Sequence, residues 1–288
     1  MGMLRRRVLQ LTLLVLAASL SSAPAGELER ALRHYERTEY KAVLELLLPL
    51  KHKDGPVLEL IGKAYYMEGD YKKASQYFEK AIAAEPRNAR YHHWLGRAYG
   101  KRAETSSFLT APGLASKARQ HFEKAVELDP NNLEAISDLF EYYLQAPGFL
   151  GGGLEKALTL LERIRRLDPA EGHYAEARLA EKRREFARAE QQLRRALEAA
   201  PRQLGRIVDL AKFLARQRRF EEGEALLAQA EKIAPGSPRL KFERAALYIQ
   251  AGRNLDEARR LLEEYLKSEL SPEDPPRWEA ELLLKRLS

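Results

Sequence analysis

What limits this chain most is a spacing. Between Gly55 and Asn88 the apolar and small residues Leu58, Ile61-Gly62, Tyr65, Ala74, Phe78 and Ala81 stand at helical intervals, with Gly69-Asp70 between the two groups and Pro86 after them. Leu58, Ile61 and Tyr65 share one stripe of a first helix, and Ala74, Phe78 and Ala81 share one stripe of a second. Gly69 supplies the left-handed residue that ends the first helix, Asp70 caps the free N–H groups of the next, and Pro86 stops it. Gly62 and Ala74 are small where the two helices must approach closely.

The pattern returns along the chain. A second unit carries Leu95-Gly96, Tyr99, Ala118, Phe122, Ala125 and Pro130, followed by Asn131-Asn132. A third carries Leu139, Tyr143, Ala157, Leu161, Ile164 and Pro169, with bulky Phe140 in place of the small residue at the helix crossing. Two more units follow, ending at Pro201 and Pro235, which are 34 residues apart, and a last one shows Ala245, Tyr248, Gly252, Ala258 and Leu262. Residues 26–54 read as a partial first unit through Tyr40, Val43, Leu47 and Leu50. Asp274, expected to cap, Pro275, Trp278, Leu282 and Leu283 read as a closing helix, because a stacked array needs a cover at its end.

These residues closely resemble the 34-residue tetratricopeptide repeat. The resemblance covers nearly the whole chain after residue 25. It implies an all-α fold: a right-handed α-solenoid of about six helix-turn-helix repeats, with a partial N-terminal repeat and a C-terminal capping helix. The expected organisation is a leader at 1–25, a partial repeat at 26–54, an array at 55–271 and a cap at 272–288. Within the array the units are 55–88, 89–132, 133–169, 170–203, 204–237 and 238–271.

The leader has its own signature. Arg5, Arg6 and Arg7 precede an apolar run from Val8 to Leu20, and Ala23-Pro24-Ala25 offers a cleavage site after Ala25. The run falls short of the roughly 20 residues that span a bilayer, so export to a periplasmic or secreted location is expected, without stable membrane insertion after cleavage. The chain has 0 cysteines, which excludes a disulfide framework and a lipid-bearing Cys at that site. The formal charge is +7, from 49 basic and 42 acidic residues; three of the basic residues belong to the leader.

In stacked helix pairs of this family the first helices line the concave face. The residues placed there are Glu59, Lys63, Tyr66, Arg90, His93, Arg97, Lys101, Tyr174, Arg178, Lys212, Arg216, Arg239 and Phe242, with Glu134 and Glu141 from the third unit. Basic groups with interspersed aromatics suit an extended or acidic protein segment. The carboxylate clamp known in the family is not reproduced, because Glu59 stands four positions before Lys63 where a basic residue is required. A second basic concentration runs from Lys182 to Arg219. Export argues against nucleic acid there and leaves acidic proteins, anionic glycans or lipid head groups. The expected function is therefore a non-enzymatic interaction scaffold of the cell envelope, with binding of an anionic envelope polymer as the alternative.

Two turns depart from the plain repeat. Nineteen positions separate Tyr99 from Ala118 where nine separate Tyr65 from Ala74, an excess of ten carried by the Thr105–Lys117 region; the excess between Tyr143 and Ala157 is five. Both contain Ala-Pro-Gly, at 111–113 and 146–148. The second continues through Pro147, Gly148, Phe149, Leu150, Gly151, Gly152 and Gly153. It reads either as a functional loop or as a turn that tucks Phe149 and Leu150 over the helix pair. A phosphate loop is excluded, since Leu154-Glu155 stands where Lys and Ser or Thr are needed.

No catalytic constellation is found. His92 and His93 are adjacent and so diverge by about 100 degrees on a helix, which places His92 inward, sends His93 toward the groove and argues against a shared metal. Neither a cofactor nor a metal is expected.

Overall fold

The computed structural model describes residues 23–287. The expected leader, with its apolar run from Val8 to Leu20, lies outside the described residues. Among those residues the regular structure is fifteen α-helices and one 3-10 turn. The fold separates into two compact units, the first ending at Pro86 and the second beginning at Arg87.

In the first unit α1 (Ala23–Glu36), α2 (Tyr40–Leu47), α3 (Gly55–Met67) and α4 (Tyr71–Ala84) stack in sequence. Their core holds Ala31, Tyr40, Val43, Leu47, Val57, Leu60, Ile61 and Ala64. In the second unit come α5 (Ala89–Glu104), α6 (Ala111–Leu128), α7 (Leu133–Gln145), α8 (Leu154–Leu167), α9 (Pro169–Lys182) and α10 (Phe186–Ala199). They are followed by α11 (Leu204–Arg216), α12 (Phe220–Ile233), α13 (Pro238–Ala251), α14 (Leu255–Lys267) and α15 (Arg277–Arg286). Within each unit every helix packs on the next, and in the second α7 touches α9 and α11 touches α13, so these first helices of neighbouring pairs lie side by side.

Helix starts follow from caps. Asp54 accepts from Val57 N at 3.1 Å, Asp70 from Lys73 N at 3.0 Å, Asn88 from Arg90 N at 3.2 Å, Asn132 from Ala135 N at 3.0 Å and Asp168 from Glu171 N at 3.0 Å. Each satisfies a backbone donor that has no intrahelical partner. Asp274 does not cap: it accepts from Ser271 N at 2.8 Å and closes a turn, and α15 starts three residues later. The apolar stripe of α15 is Ala280, Leu283, Leu284 and Leu287, packed on α11–α14. Leu282 lies off that stripe and is 45% exposed, two residues from Ala280 and so turned about 200 degrees away from it.

The pairs are held by matched volumes at the helix crossing. A Cβ on Gly62 would lie 2.7 Å from the Phe78 ring, and one on Gly96 would lie 2.6 Å from the Phe122 ring. In the later units the same register places Ala177 with Leu193, Ala211 with Leu227 and Ala245 with Leu261, all buried. Glycine thus accompanies phenylalanine, and alanine accompanies leucine. The third unit departs with Phe140 and Leu161, both buried.

The two Ala-Pro-Gly segments fold differently. Ala111-Pro112-Gly113 is the first turn of α6, where proline lacks nothing because that N–H has no helical acceptor. Part of the ten-residue excess therefore lengthens α5 and α6, which run 16 and 18 residues, and only 105–110 remains as a turn. Ala146 instead ends α7 in extended backbone, and Gly148–Leu150 forms the 3-10 turn. Gly151 has φ 83°, and a Cβ on Gly152 would lie 1.8 Å from Ala146 O, so these two glycines are required by the backbone.

Two stability tests follow. Gly96→Ala destabilises by about 2 kcal/mol through overpacking against Phe122, and Gly96→Ala with Phe122→Leu recovers more than half of that loss, read by urea unfolding. Arg184 and Arg218 sit at φ 62° and 61° in the turns after α9 and α11. Arg218→Gly raises stability by up to about 1 kcal/mol by relieving left-handed strain.

Candidate functional site

The first helices α5, α7, α9, α11 and α13 carry the candidate binding face of the second unit. Their polar residues are joined from helix to helix. Arg97 and His93 of α5 reach Asp138 of α7 at 2.5 and 2.7 Å, and Arg97 also approaches Glu134 at 3.4 Å. Arg178 of α9 reaches Glu141 of α7 at 2.6 Å and Glu181 on its own helix at 2.6 Å. Arg206 of α11 is paired with Glu171 of α9 and lies 3.3 Å from Asp209. Arg216 of α11 reaches Glu181 at 2.6 Å, and Lys212 of α11 reaches Glu243 of α13 at 2.6 Å.

Every junction between neighbouring first helices from α5 to α13 is thus crossed by at least one ion pair. The groove cations expected from sequence are present, yet Arg97, Arg178, Lys212 and Arg216 each face a carboxylate of the same chain. The face is closer to charge-balanced than to basic. The sequence reading did not single out Asp138, Glu171, Glu181 or Glu243 as partners, because side chains 31 to 45 positions apart are joined only by the stacking.

These pairs shift the groups they involve. Burial acts to raise Asp138, but the His93 hydrogen bond and the Arg97 charge outweigh it and hold the carboxyl below its ordinary value. Asp209 moves the other way, raised by burial against the partial relief of Arg206, Lys212 and Arg239. Burial pushes the Tyr174 phenol up to about 12, with the Asp209 carboxylate adding to the effect. For Arg178, burial opposes the charge, but the Glu141 hydrogen bond and carboxylate hold the guanidinium fully protonated.

Between α7 and α9 lies a cleft of about 290 Å³ lined by Ser137, Asp138, Phe140, Glu141, Glu171, Tyr174, Ala175 and Arg178. Tyr174 and Arg178 of the expected site are brought together here. Ser137 Oγ donates to Glu171 at 3.2 Å, so one wall is polar, while the half-buried Tyr174 ring gives the other its apolar surface and Phe140, 2% exposed, lies beneath it.

Three expected contact residues are not available to a partner. His93 is 3% exposed, turned into the α5–α7 junction by Asp138, and Phe242 is 7% exposed, tilted against Tyr265 with ring centroids 5.3 Å apart. Glu59 is 5% exposed and pairs with Lys63 one turn on, at 2.8 Å. His92 is buried as expected, with Nδ1 3.0 Å from His121 Nδ1. Glu59, Lys63 and Tyr66 belong to the first unit, where Tyr66 packs edge-on against Tyr71. Arg90 is exposed at the start of α5, and Lys101 pairs with Glu104 at 2.8 Å. Arg239 lines a separate cleft with Arg206, Asp209, Glu273 and Asp274.

The basic stretch from Lys182 to Arg219 is divided among three helices. Arg188 pairs with Glu176, Arg194 and Arg219 share Glu190, and Arg206 and Arg216 belong to the first-helix pairs. Among the described residues no three His, Cys, Asp or Glu side chains are grouped to hold a metal ion.

Neither of the two alternatives for the glycine-rich turn describes it fully. Tyr142 OH donates to Leu150 O at 2.9 Å and Lys156 Nζ to Gly151 O at 3.1 Å, so the turn is anchored through its backbone. Phe149 is not tucked over the helices: it is 82% exposed. Phe108 and Leu109, which sequence reasoning passed over, are 83% and 76% exposed on the other lengthened turn. An apolar pair inside Ser106-Ser107-Phe108-Leu109-Thr110 was the available signal.

Asp138→Asn tests the α5–α7 junction. It is expected to lower stability by about 1–2 kcal/mol near neutral pH, because it removes the carboxylate that buried His93 meets and the nearer of the two that Arg97 faces, while the site is part-exposed. The folded-state value lies below the ordinary 3.8, so the contribution is complete above that value and is lost as pH falls through the depressed one. The difference between wild type and Asp138→Asn, read by urea unfolding across acid pH, therefore closes below about pH 4.

Comparison with known proteins gives the same architecture. Residues 62–102 match a family described as TPR repeat, and residues 208–277 match one described as tetratricopeptide repeat. No curated protein matches the chain in sequence. Among solved structures, a tetratricopeptide repeat protein from Parabacteroides merdae is similar with TM-score 0.56 at 14% identity, over 91% of this chain and 98% of that one. Human IFIT1, crystallised as a dimer with PPP-AAAA, gives 0.54 at 19% identity, over 84% and 54%. A chain of the APC/C hetero-tetramer Cut9-Hcn1 gives 0.52 at 16%, over 89% and 48%. The present chain spans about half the length of these last two. At such identities the likeness is one of fold. With two stretches matching repeat families and successive helix pairs in each unit, the chain carries tetratricopeptide repeats at 62–102 and 208–277 within an all-α array of that fold.

Proposed function

We propose that this protein is a non-enzymatic scaffold that holds an extended protein segment across its first helices, working outside the cytoplasm of a bacterial cell. The observation that carries the reading is the cleft between α7 and α9. It sets the Tyr174 ring beside a row of paired charges, Asp138, Glu141, Glu171 and Arg178. Aromatic surface takes up apolar side chains of a segment, and fixed charges select its polar ones.

The pairing refines the partner. An acidic segment would have to replace Glu141 or Glu181 on Arg178 and Arg216, exchanging one ion pair for another with little net gain. A segment alternating apolar and mixed polar groups needs no such exchange and gains the apolar contact. The export element of this reading rests on the basic-apolar leader ahead of Ala25.

Site-specific photocrosslinking tests the reading. A photoreactive residue at Ser137 or Arg178 in the cleft is expected to yield a discrete protein adduct in cells, and one at Leu158, on the exposed side of α8, to yield none. Equal adducts from both positions, or none from either cleft position, would overturn it.

A further inference from the structure

Phe108, Leu109 and Phe149 are 83%, 76% and 82% exposed. Single exposed apolar residues are ordinary on protein surfaces, but these three are mounted on one support. The 105–110 turn leads directly into the N-terminus of α6. The 148–151 turn lies against the same helix eight residues further on, where a Cβ on Gly151 would stand 2.7 Å from Arg119 Nε. At the helical rise that separation is about 12 Å along α6. Tyr143 OH donates to Glu123 Oε1 at 2.7 Å, and Glu123 holds Arg119 at 2.8 Å, so the second turn is fixed to α6 on both sides.

The surroundings of these tips are basic. Lys101, Arg102, Lys117, Arg119 and Lys156 lie on the flanking turns of α5, α6 and α8, against Glu104, Glu123 and Glu155. Arg102 and Lys117 both stack over the Tyr99 ring, each 5.2 Å from its centroid. Two cations are thus gathered at one aromatic ring.

We propose that this edge docks on an anionic lipid surface, with Phe108, Leu109 and Phe149 entering the acyl boundary and the cations meeting the headgroups. The tips are separate projections, so they suit a fluid apolar layer that needs no shape match better than a protein partner that does. The net positive rim matches anionic headgroups, and interfacial binding gains from buried apolar area together with such charge attraction. The edge is distinct from the cleft between α7 and α9, so the scaffold reading stands or falls separately.

The absence of cysteine allows a local test on the full chain. Phe149→Cys and Leu109→Cys, each labelled with an environment-sensitive fluorophore, are mixed with vesicles of three parts phosphatidylcholine to one part phosphatidylglycerol. Glu198→Cys, exposed on α10, serves as the control. Emission is expected to rise severalfold and shift to the blue at 149 and 109 but not at 198. Exchanging Arg102 and Lys117 for Gln is expected to weaken the response by roughly tenfold or more in lipid concentration. A local probe separates docking of this edge from any attachment through the apolar N-terminal run. Unchanged emission at both tips, an equal rise at 198, an equal response to pure phosphatidylcholine, or a rise with protein concentration alone that marks self-association would each overturn the proposal.

Discussion

The structure depends on close approach inside each helix pair. A phenylalanine of the second helix lies over the backbone of a glycine in the first, as Phe78 does over Gly62 and Phe122 over Gly96. Glycine inside a helix is unfavourable by about 1 kcal/mol relative to alanine, and the burial of an aromatic ring offsets it. In later pairs the bargain is struck with alanine and leucine, as at Ala211 and Leu227, so the crossing keeps a nearly constant volume while its residues change. Without that approach the neighbouring pairs would not bring their first helices side by side, and the ion pairs between those helices would have no register.

Those ion pairs decide the chemical character of the candidate face. Individually, surface pairs contribute little. Collectively they join α5 to α7, α7 to α9, α9 to α11 and α11 to α13, and Asp138 and Glu243 do so from positions largely shielded by the helices around them. A face that reads as basic in one dimension becomes closer to balanced in three, because Arg97, Arg178, Arg206, Lys212 and Arg216 are each set opposite a carboxylate from a neighbouring repeat. What remains distinctive is the cleft where Phe140 fills the helix crossing from beneath and the Tyr174 ring stands beside the charges.

The two lengthened turns show how context overrides a local motif. Ala-Pro-Gly opens a helix at 111–113 and ends one at 146–148. Proline is accepted at both places for different reasons: in the first turn its missing N–H has no acceptor to lose, and after a helix its fixed φ favours extended backbone. In each case the insertion leaves large apolar side chains outside the core, while Gly151 and Gly152 serve the backbone that carries them.

The helix pairs and their crossing residues were legible in the sequence, since they follow from contacts within about one repeat: Asp70 caps its own helix and Gly62 meets Phe78 sixteen positions on, whereas Asp274 closes a turn instead of capping the last helix. The fate of His93, Phe242 and Arg178 was not legible. His93 and Asp138 are 45 positions apart and Arg178 and Glu141 are 37 apart, so whether a polar side chain faces solvent or a neighbour depends on how one repeat stacks on the next. The apolar tips lay between these cases: Phe149 stood out among its glycines, whereas Phe108 and Leu109 could have filled a core and are shown outside it only by the path of the turn. Sequence periodicity determined the architecture because helical packing is local and repeats. Tertiary stacking decided the surface, because exposure and charge pairing are properties of the assembled helices and of no single one.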